Sequence, residues 1–515
     1  MSGMTSTTKE ESGALPKEAQ GQSYLDDRSQ ESDLGAGFKR PKHVHLLGAG
    51  GAGVSGIGRI LAGLGVEISG HDCQSSDSFD KLRATGLKLE LGPSEARYLP
   101  AGADLVVRSA AVPADDPQVL AAESRGVEVL KYADALARIA PAGRTLAVAG
   151  THGKTTASWM LWHALEAIEE GRRGPVPGAL VGGINRRLET NALAGGAGAW
   201  FCAEACEYDR TFLGLNPAGA VITNIEADHL DYYGDLAAIH KAFARFACQV
   251  DADGLLVLGS DVTEEVELGA PCQVLRLGRE LRVDLRGEDR GNFRFRLRAP
   301  KWVSPEVQLS VPGHFNVENA ALVLALATGM VSRRLGLDPN KVAAYAAKGL
   351  ENFRGVARRF EPWGAVDGVQ LVHDYAHHPT EVRVTLEAAL RAFPGRPLHV
   401  LFQPHQHSRT ARFLEEFADS LRSADRVVVT DVYGARVHSD GAVYAGASEL
   451  VDALKARQVD AVVGGGLSDS VDAFVEALPS RAAGFVLGAG DIETVHDDLH
   501  KKLALRGAPP GEPLL

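Results

Sequence analysis

Seven residues, Gly150-Thr151-His152-Gly153-Lys154-Thr155-Thr156, follow an apolar run and carry the clearest chemistry of the 515-residue chain. In such a turn, backbone N–H groups can close around phosphate oxygens. Lys154 would reach a β- or γ-phosphate, and the Thr155 hydroxyl would bind Mg²⁺. The motif is shorter than G-x-x-x-x-G-K-[ST], since Val148 stands five residues before Gly153. A lysine buried in a glycine turn for structural reasons alone has little purpose.

A second glycine run, Gly48-Ala49-Gly50-Gly51-Ala52-Gly53, lies about 100 residues earlier, with Asp72 where a ribose-binding acid belongs. It suits a diphosphate at a helix N-terminus. Any nucleotide diphosphate satisfies the same physics, so the run does not by itself mean a dinucleotide cofactor. A tight turn without ligand is the plain alternative. Two such loops argue for a nucleotide-linked substrate at one and ATP at the other.

Acids cluster in Glu204-Ala205-Cys206-Glu207 and in Glu226-Ala227-Asp228-His229. Mg²⁺ takes oxygen ligands. Thr155 and Glu204 are candidates for one ion, and His229 for a second that bridges a γ-phosphate and an acyl group. The plain alternative is acids solvating strand ends. For Cys202-x-x-x-Cys206, small core residues are favoured over zinc, because no second pair accompanies them.

The elements that must hold these groups follow an α/β rhythm. His43–Leu47, 66–70 and 105–107 read as strands, with a helical stretch through Leu64. Residues 141–143 read as a linker. A second pattern opens with 145–149 and continues through 220–223 and 254–258. Short alternating strands fill about 283–311, and an Ala/Leu-rich helix follows Asn316. A third pattern begins near Phe353, with strands at 369–374, 398–402, 426–430 and 485–487. The expected organisation is a tail over 1–40 and domains over 41–141, 142–352 and 353–515. There is no tandem repeat.

Composition narrows the function. With 54 Lys+Arg against 66 Asp+Glu the net charge is −12, a poor balance for non-specific nucleic-acid binding. Five cysteines make no disulfide framework and suit a reducing cytosol. Residues 1–39 are polar and are expected to be disordered. The longest apolar stretch, about 320–331, falls short of the roughly 20 residues of a membrane span. A cytoplasmic protein without membrane insertion, monomeric or weakly dimeric, is expected.

Taken together, Gly48–Gly53, Gly150–Thr156, Thr223–Asp231, Gly313–Ala320, Arg358-Arg359-Phe360, Asp374–Glu381 and Phe402–Thr410 resemble the Mur ligase family, in its order, from about His43 to Asp491. The resemblance implies three domains: a Rossmann-like UDP-binding domain, a central P-loop ATPase domain and a C-terminal Rossmann-like domain. It implies a reaction in which ATP converts the carboxylate of UDP-N-acetylmuramate to an acyl phosphate that L-alanine then attacks. It also implies roles. Gly48, Gly50, Gly51 and Gly53 would hold the UDP diphosphate, with Asp72 and Ser109 nearby. Lys154 would neutralise the phosphoryl group, and Thr155, Glu204 and His229 would hold Mg²⁺. Asn316 and Asn319 would contact adenine, Asn316 having a helix N-cap as its plain alternative. Arg359 and Asp374 would reach ATP from the third domain. Tyr375 and His377 fall in the Asp-Tyr-Ala-His-His-Pro-Thr-Glu motif, and His405 and Arg409 would face the substrate carboxylates. The positive field would come from Lys154, Arg359, Arg409 and two Mg²⁺.

Some positions depart from the family pattern. Gln406 and His407 stand where Arg and Tyr are usual, which opens the choice among alanine, glycine and serine. Cys206 replaces a common acid, Phe315 a usual His, and 233–235 is one residue short. Lys241 matches a carbamylated-lysine position poorly and is not assigned. Competing readings are a tripeptide-recycling ligase of the same family, an NAD-dependent oxidoreductase, which leaves Gly150–Thr156 without purpose, and a non-catalytic nucleotide-binding relative.

Overall fold

The computed structural model describes residues 40–434 and 446–507. The expected disordered tail lies outside the described residues. The first α/β unit is a five-stranded parallel sheet of β1 (His43–Leu47), β2 (Glu67–Asp72), β3 (Lys88–Leu91), β4 (Leu105–Arg108) and β5 (Glu128–Lys131), in the order 3-2-1-4-5. The run after β1 turns at Gly48, with φ +75°, into the helix Ala52–Gly63.

The second unit holds β6 (Thr145–Ala149), β7 (Gly178–Asn185), β8 (Thr190–Leu193), β9 (Phe201–Glu204), β10 (Gly219–Ile222), β11 (Leu255–Leu258) and β12 (Gln273–Arg276), ordered 12-11-10-6-9-7-8. β6 sits between β10 and β9, and all five of its residues are buried. Its neighbours run parallel in a register that pairs Val148 with Glu204 and Ala149 with Ile222. The Gly150 turn, Glu204 and Thr223 therefore meet at the carboxyl ends of adjacent strands, where open α/β sheets bind ligands.

A small antiparallel sheet follows: β13 (Arg282–Asp289), β14 (Asn292–Ala299), β15 (Trp302–Val303) and β16 (Val307–Gln308). In β14, Phe293, Phe295 and Leu297 are buried while Arg294, Arg296 and Arg298 are exposed, the alternation of a sheet wet on one face. The Ala/Leu-rich helix spans His314–Leu335. Among the described residues it is the one helix long and apolar enough to cross a membrane, its apolar run preceded by the polar His314, Asn316, Glu318 and Asn319 of its first turns. Its apolar window is 78% buried inside the protein, against the helices Lys154–Arg172 and Pro339–Asn352.

The third sheet contains β17 (Glu361–Val366), β18 (Val369–Asp374), β19 (Leu398–Phe402), β20 (Arg426–Thr430), β21 (Asp460–Gly465) and β22 (Ala483–Leu487), in the order 17-18-22-19-20-21, with β17 antiparallel. Asp374 and Phe402 both pair with Leu487. That register puts the segments after β18 and β19 at one end of the sheet. Phe353 and Val356 pack in the core of the second unit rather than the third.

The junctions differ in kind. One apolar cluster runs continuously from Val44 of the first sheet to Leu258 of the second, while the third sheet has its own clusters on its two faces.

Candidate functional site

The phosphate-turn candidate is built by steric necessity. Gly150 has φ +136°, and a Cβ there would stand 2.0 Å from the Thr223 hydroxyl oxygen. Gly153 caps the helix Lys154–Arg172 in the left-handed region, φ +81°, with Asn319 where its Cβ would be. One residue to which sequence reasoning gives no role, Asn224, shapes the turn through its side chain and its carbonyl. Asn224 Oδ1 accepts from the His152 N–H at 2.8 Å, and the Asn224 carbonyl accepts from the Thr151 N–H at 3.0 Å.

Thr155 Oγ1 donates to Glu204 Oε1 at 3.0 Å, and Glu204 Oε2 accepts from the Gly182 N–H at 2.7 Å. This oxygen pair fits a small hard cation. Lys154 Nζ donates to the Gly150 carbonyl at 2.6 Å, the Thr151 carbonyl at 2.9 Å and Glu207 at 3.0 Å. Burial alone would lower its pKa, but the Glu207 carboxylate beside it raises it above the ordinary lysine value. Spacing along the chain gives Glu207 no role; only the fold brings it to the lysine.

His229 adopts φ 51°, ψ 35°, a conformation uncommon for a side-chain-bearing residue and one that favours functional sites. Burial lowers its pKa, and the charges of Asp228, Glu207, Lys154 and Arg409 act on it. Arg409 Nη2 donates to Asp228 Oδ1 at 2.8 Å across the junction of the second and third units, with both side chains 10% exposed. His405 stacks on Tyr433 at 5.6 Å and meets His377 edge-on at 5.9 Å. Tyr375 stacks beneath the guanidinium groups of Arg358 and Arg359.

A cavity of about 640 Å³ adjoins this cluster. Its walls include His152, Gly153, Thr155, Thr156, Asn316, Asn319, Arg359 and Asp374. Lys154, His229 and Arg409 are not among its lining residues. Asn316 is no N-cap: the helix begins two residues earlier after Gly313, and Asn316 Nδ2 donates to the Pro312 carbonyl at 2.7 Å. Asp374 accepts from the Phe360 and Ala376 N–H groups, and burial pushes its carboxyl up to about 6 despite nearby Arg359.

At the first glycine run, a Cβ on Gly48 would stand 2.8 Å from Ser109 Cβ, and one on Gly53 would meet the Tyr132 ring at 2.6 Å. Gly51 caps the following helix, whose first turn carries no acid. Asp72 Oδ2 accepts from the Gly50 N–H at 2.8 Å, so its carboxylate shapes the loop.

Three α/β units around a phosphate-type turn define a nucleotide-using class of protein. Residues 43–144 match the Mur ligase family catalytic domain, 148–327 the Mur ligase middle domain and 358–491 the Mur ligase glutamate ligase domain. The chain is 40% identical to the UDP-N-acetylmuramate–L-alanine ligase of Kineococcus radiotolerans over 91% of its length and 98% of the relative's. Against the enzyme of the same name from Rubrobacter xylanophilus it is 40% identical, over 89% and 100%. The crystal structure of UDP-N-acetylmuramate-alanine ligase from Thermotoga maritima superposes with TM-score 0.72 at 26% identity, covering 89% of this chain and 98% of that one. The chain belongs to the Mur ligase family, whose members are ATP-dependent ligases.

Proposed function

We propose that the chain joins L-alanine to the carboxylate of UDP-N-acetylmuramate at the expense of ATP, making a peptidoglycan precursor. The carboxylate attacks the γ-phosphorus and ADP leaves. The amine of L-alanine then attacks the acyl phosphate carbon. Phosphate departs, and the amine loses its proton. One observation carries the ligase reading: the second unit's turn and Asn316 and Asn319 wall one cavity with Arg359 and Asp374 of the third unit. The choice of L-alanine is supported by relatives of that name at full-length coverage.

In this reading 41–141 binds the uridine nucleotide through Gly48, Gly50, Gly51, Gly53 and Ser109. Residues 142–352 bind ATP, and 353–515 close over both. Lys154 leaves Glu207 for the transferring phosphoryl group, and Arg409 leaves Asp228 for a substrate carboxylate. Thr155 and Glu204 would hold Mg²⁺, with His229 for a second ion. Bound there, the ions would neutralise triphosphate charge. His377, Tyr375 and His405 line the amino-acid side. The reading places the protein in the cytoplasm, as a monomer or weak homodimer, without nucleic-acid or membrane partners.

Phosphate release should require ATP, Mg²⁺, UDP-N-acetylmuramate and L-alanine together. Equal release without the muramyl nucleotide would reject the ligase reading. Turnover with a tripeptide but not with alanine would favour the recycling enzyme.

A further inference from the structure

One cluster of metal-binding groups lies apart from the Thr155–Glu204 oxygen pair. His152 of the phosphate turn, Glu226 of the loop after β10 and His378 at the start of the helix Pro379–Ala392 each offer a ligand atom, all within 4.8 Å of one another. The Nε2 atoms of His152 and His378 are both shielded from solvent and have no hydrogen-bond partner. His378 is only 5% exposed. The two rings lie 4.9 Å apart, and His152 Nε2 is 3.6 Å from Glu226 Oε2.

The surroundings are those of an oriented ligand set. The other nitrogen of His152, Nδ1, faces Glu381 Oε1 at 3.3 Å, the carboxylate–histidine arrangement that fixes a metal-bound ring. Glu226 is steadied by Thr380 Oγ1, which donates to its Oε2 at 2.7 Å. We propose that His152, Glu226 and His378 form a site for a borderline-soft divalent cation such as Zn²⁺, bridging the phosphate turn and the third unit. Two imidazoles and one carboxylate suit Zn²⁺ with a fourth position open, whereas Mg²⁺ prefers all-oxygen surroundings.

Three costs bear on the affinity. The cation must displace the Nε2 proton of His152, which the flanking carboxylates of Glu226 and Glu381 favour. Ligand atoms around one Zn²⁺ stand about 3.3 Å apart, so the side chains must draw together. His378 must also carry its proton on Nδ1, which opens the 3.4 Å contact it accepts from the Thr380 N–H. An ion here would tie the phosphate turn to the third unit, so Zn²⁺ would slow turnover by hindering separation of the two units.

The test uses the full chain, stripped with chelator and kept in excess Mg²⁺. Zn²⁺ is titrated in competition with a chromophoric chelator, and Co²⁺ is followed by its visible spectrum. The expected result is one tight equivalent, with Co²⁺ bands lacking thiolate charge transfer. His378→Gln and Glu226→Gln should each weaken binding at least tenfold, while Glu204→Gln should retain it. Zn²⁺ should raise the melting temperature of the parent protein but of neither site variant. If His378→Gln does not fold, Glu226→Gln decides, since its amide can still accept from Thr380. No uptake, uptake unchanged in the site variants, or a thiolate spectrum from the cysteines would each overturn the proposal.

Discussion

Single residues at this site are held by contacts that leave little tolerance. The Cβ of an alanine at Gly150 would stand 2.0 Å from Thr223 Oγ1 and 3.0 Å from the Thr223 amide, at φ +136°. Gly150→Ala should therefore cost about 1–3 kcal/mol of stability. It should also raise the KM for ATP more than tenfold, read by denaturant melts and initial rates; a variant with parental values would show that the turn is soft. Lys154 is constrained differently. Its ammonium finds two carbonyls and one carboxylate, Glu207, whose side chain is 4% exposed. Removing one member of a buried ion pair strands the other. Glu207→Gln should destabilise the protein by about 3 kcal/mol and lower kcat, while Glu207→Asp should recover part of both. Full activity in the Gln variant would free Glu207 from any part in positioning the lysine.

Whole elements show which parts of this molecule were legible in its residue order. Strands such as His43–Leu47, Thr145–Ala149 and Leu398–Phe402 were readable because short apolar runs end at glycine, proline or polar turns. The helix at His314 starts two residues before Asn316, because Gly313 supplies the cap position and frees Asn316 to bond Pro312. Pairings such as Lys154 with Glu207 and Arg409 with Asp228 were not legible, since sheet order and not spacing creates them. The docking of the helix Ala52–Gly63 onto the second sheet was equally hidden. A Cβ on Gly56 would lie 2.2 Å from Leu180 Cδ1, and Asn191 Nδ2 donates to the Ala52 carbonyl at 2.8 Å. Gly56→Ala should wedge this joint apart, weakening binding of the uridine nucleotide several-fold and lowering stability. Leu180→Ala in the same chain should restore part of both, a coupling that a double-mutant cycle measures. Additive losses would show that the helix and sheet do not communicate through this contact.

Across the whole molecule, the two junctions set different responses. The first and second units share apolar core, while the described links from second to third include Arg409–Asp228, Thr380–Glu226 and His152–Glu381. Polar contacts exchange for water at small net cost, so separation is expected at the third unit. Acid should act on all three units through buried neutral histidines. Burial lowers His45 to about 4 in the first, His163 to about 3 in the second and His373 to about 4 in the third. Each ring binds its proton more weakly folded than unfolded. Its full stability is therefore present above the ordinary value of 6.5 and is lost as pH falls toward the folded value. At pH 5 the loss is up to about 2 kcal/mol per histidine. His152 runs the other way: burial would lower it, but Glu226 and Glu381 push it up to about 9. Its contribution is whole below 6.5 and fades as pH rises toward 9, so it does not offset the acid loss. Urea midpoints of the chelator-treated protein should peak near neutral pH and fall toward pH 5. His45→Gln, which keeps a polar group beside Ser69 and Gln118, should flatten part of the acid limb while lowering the plateau. An acid limb of unchanged slope in that variant would place the titration elsewhere.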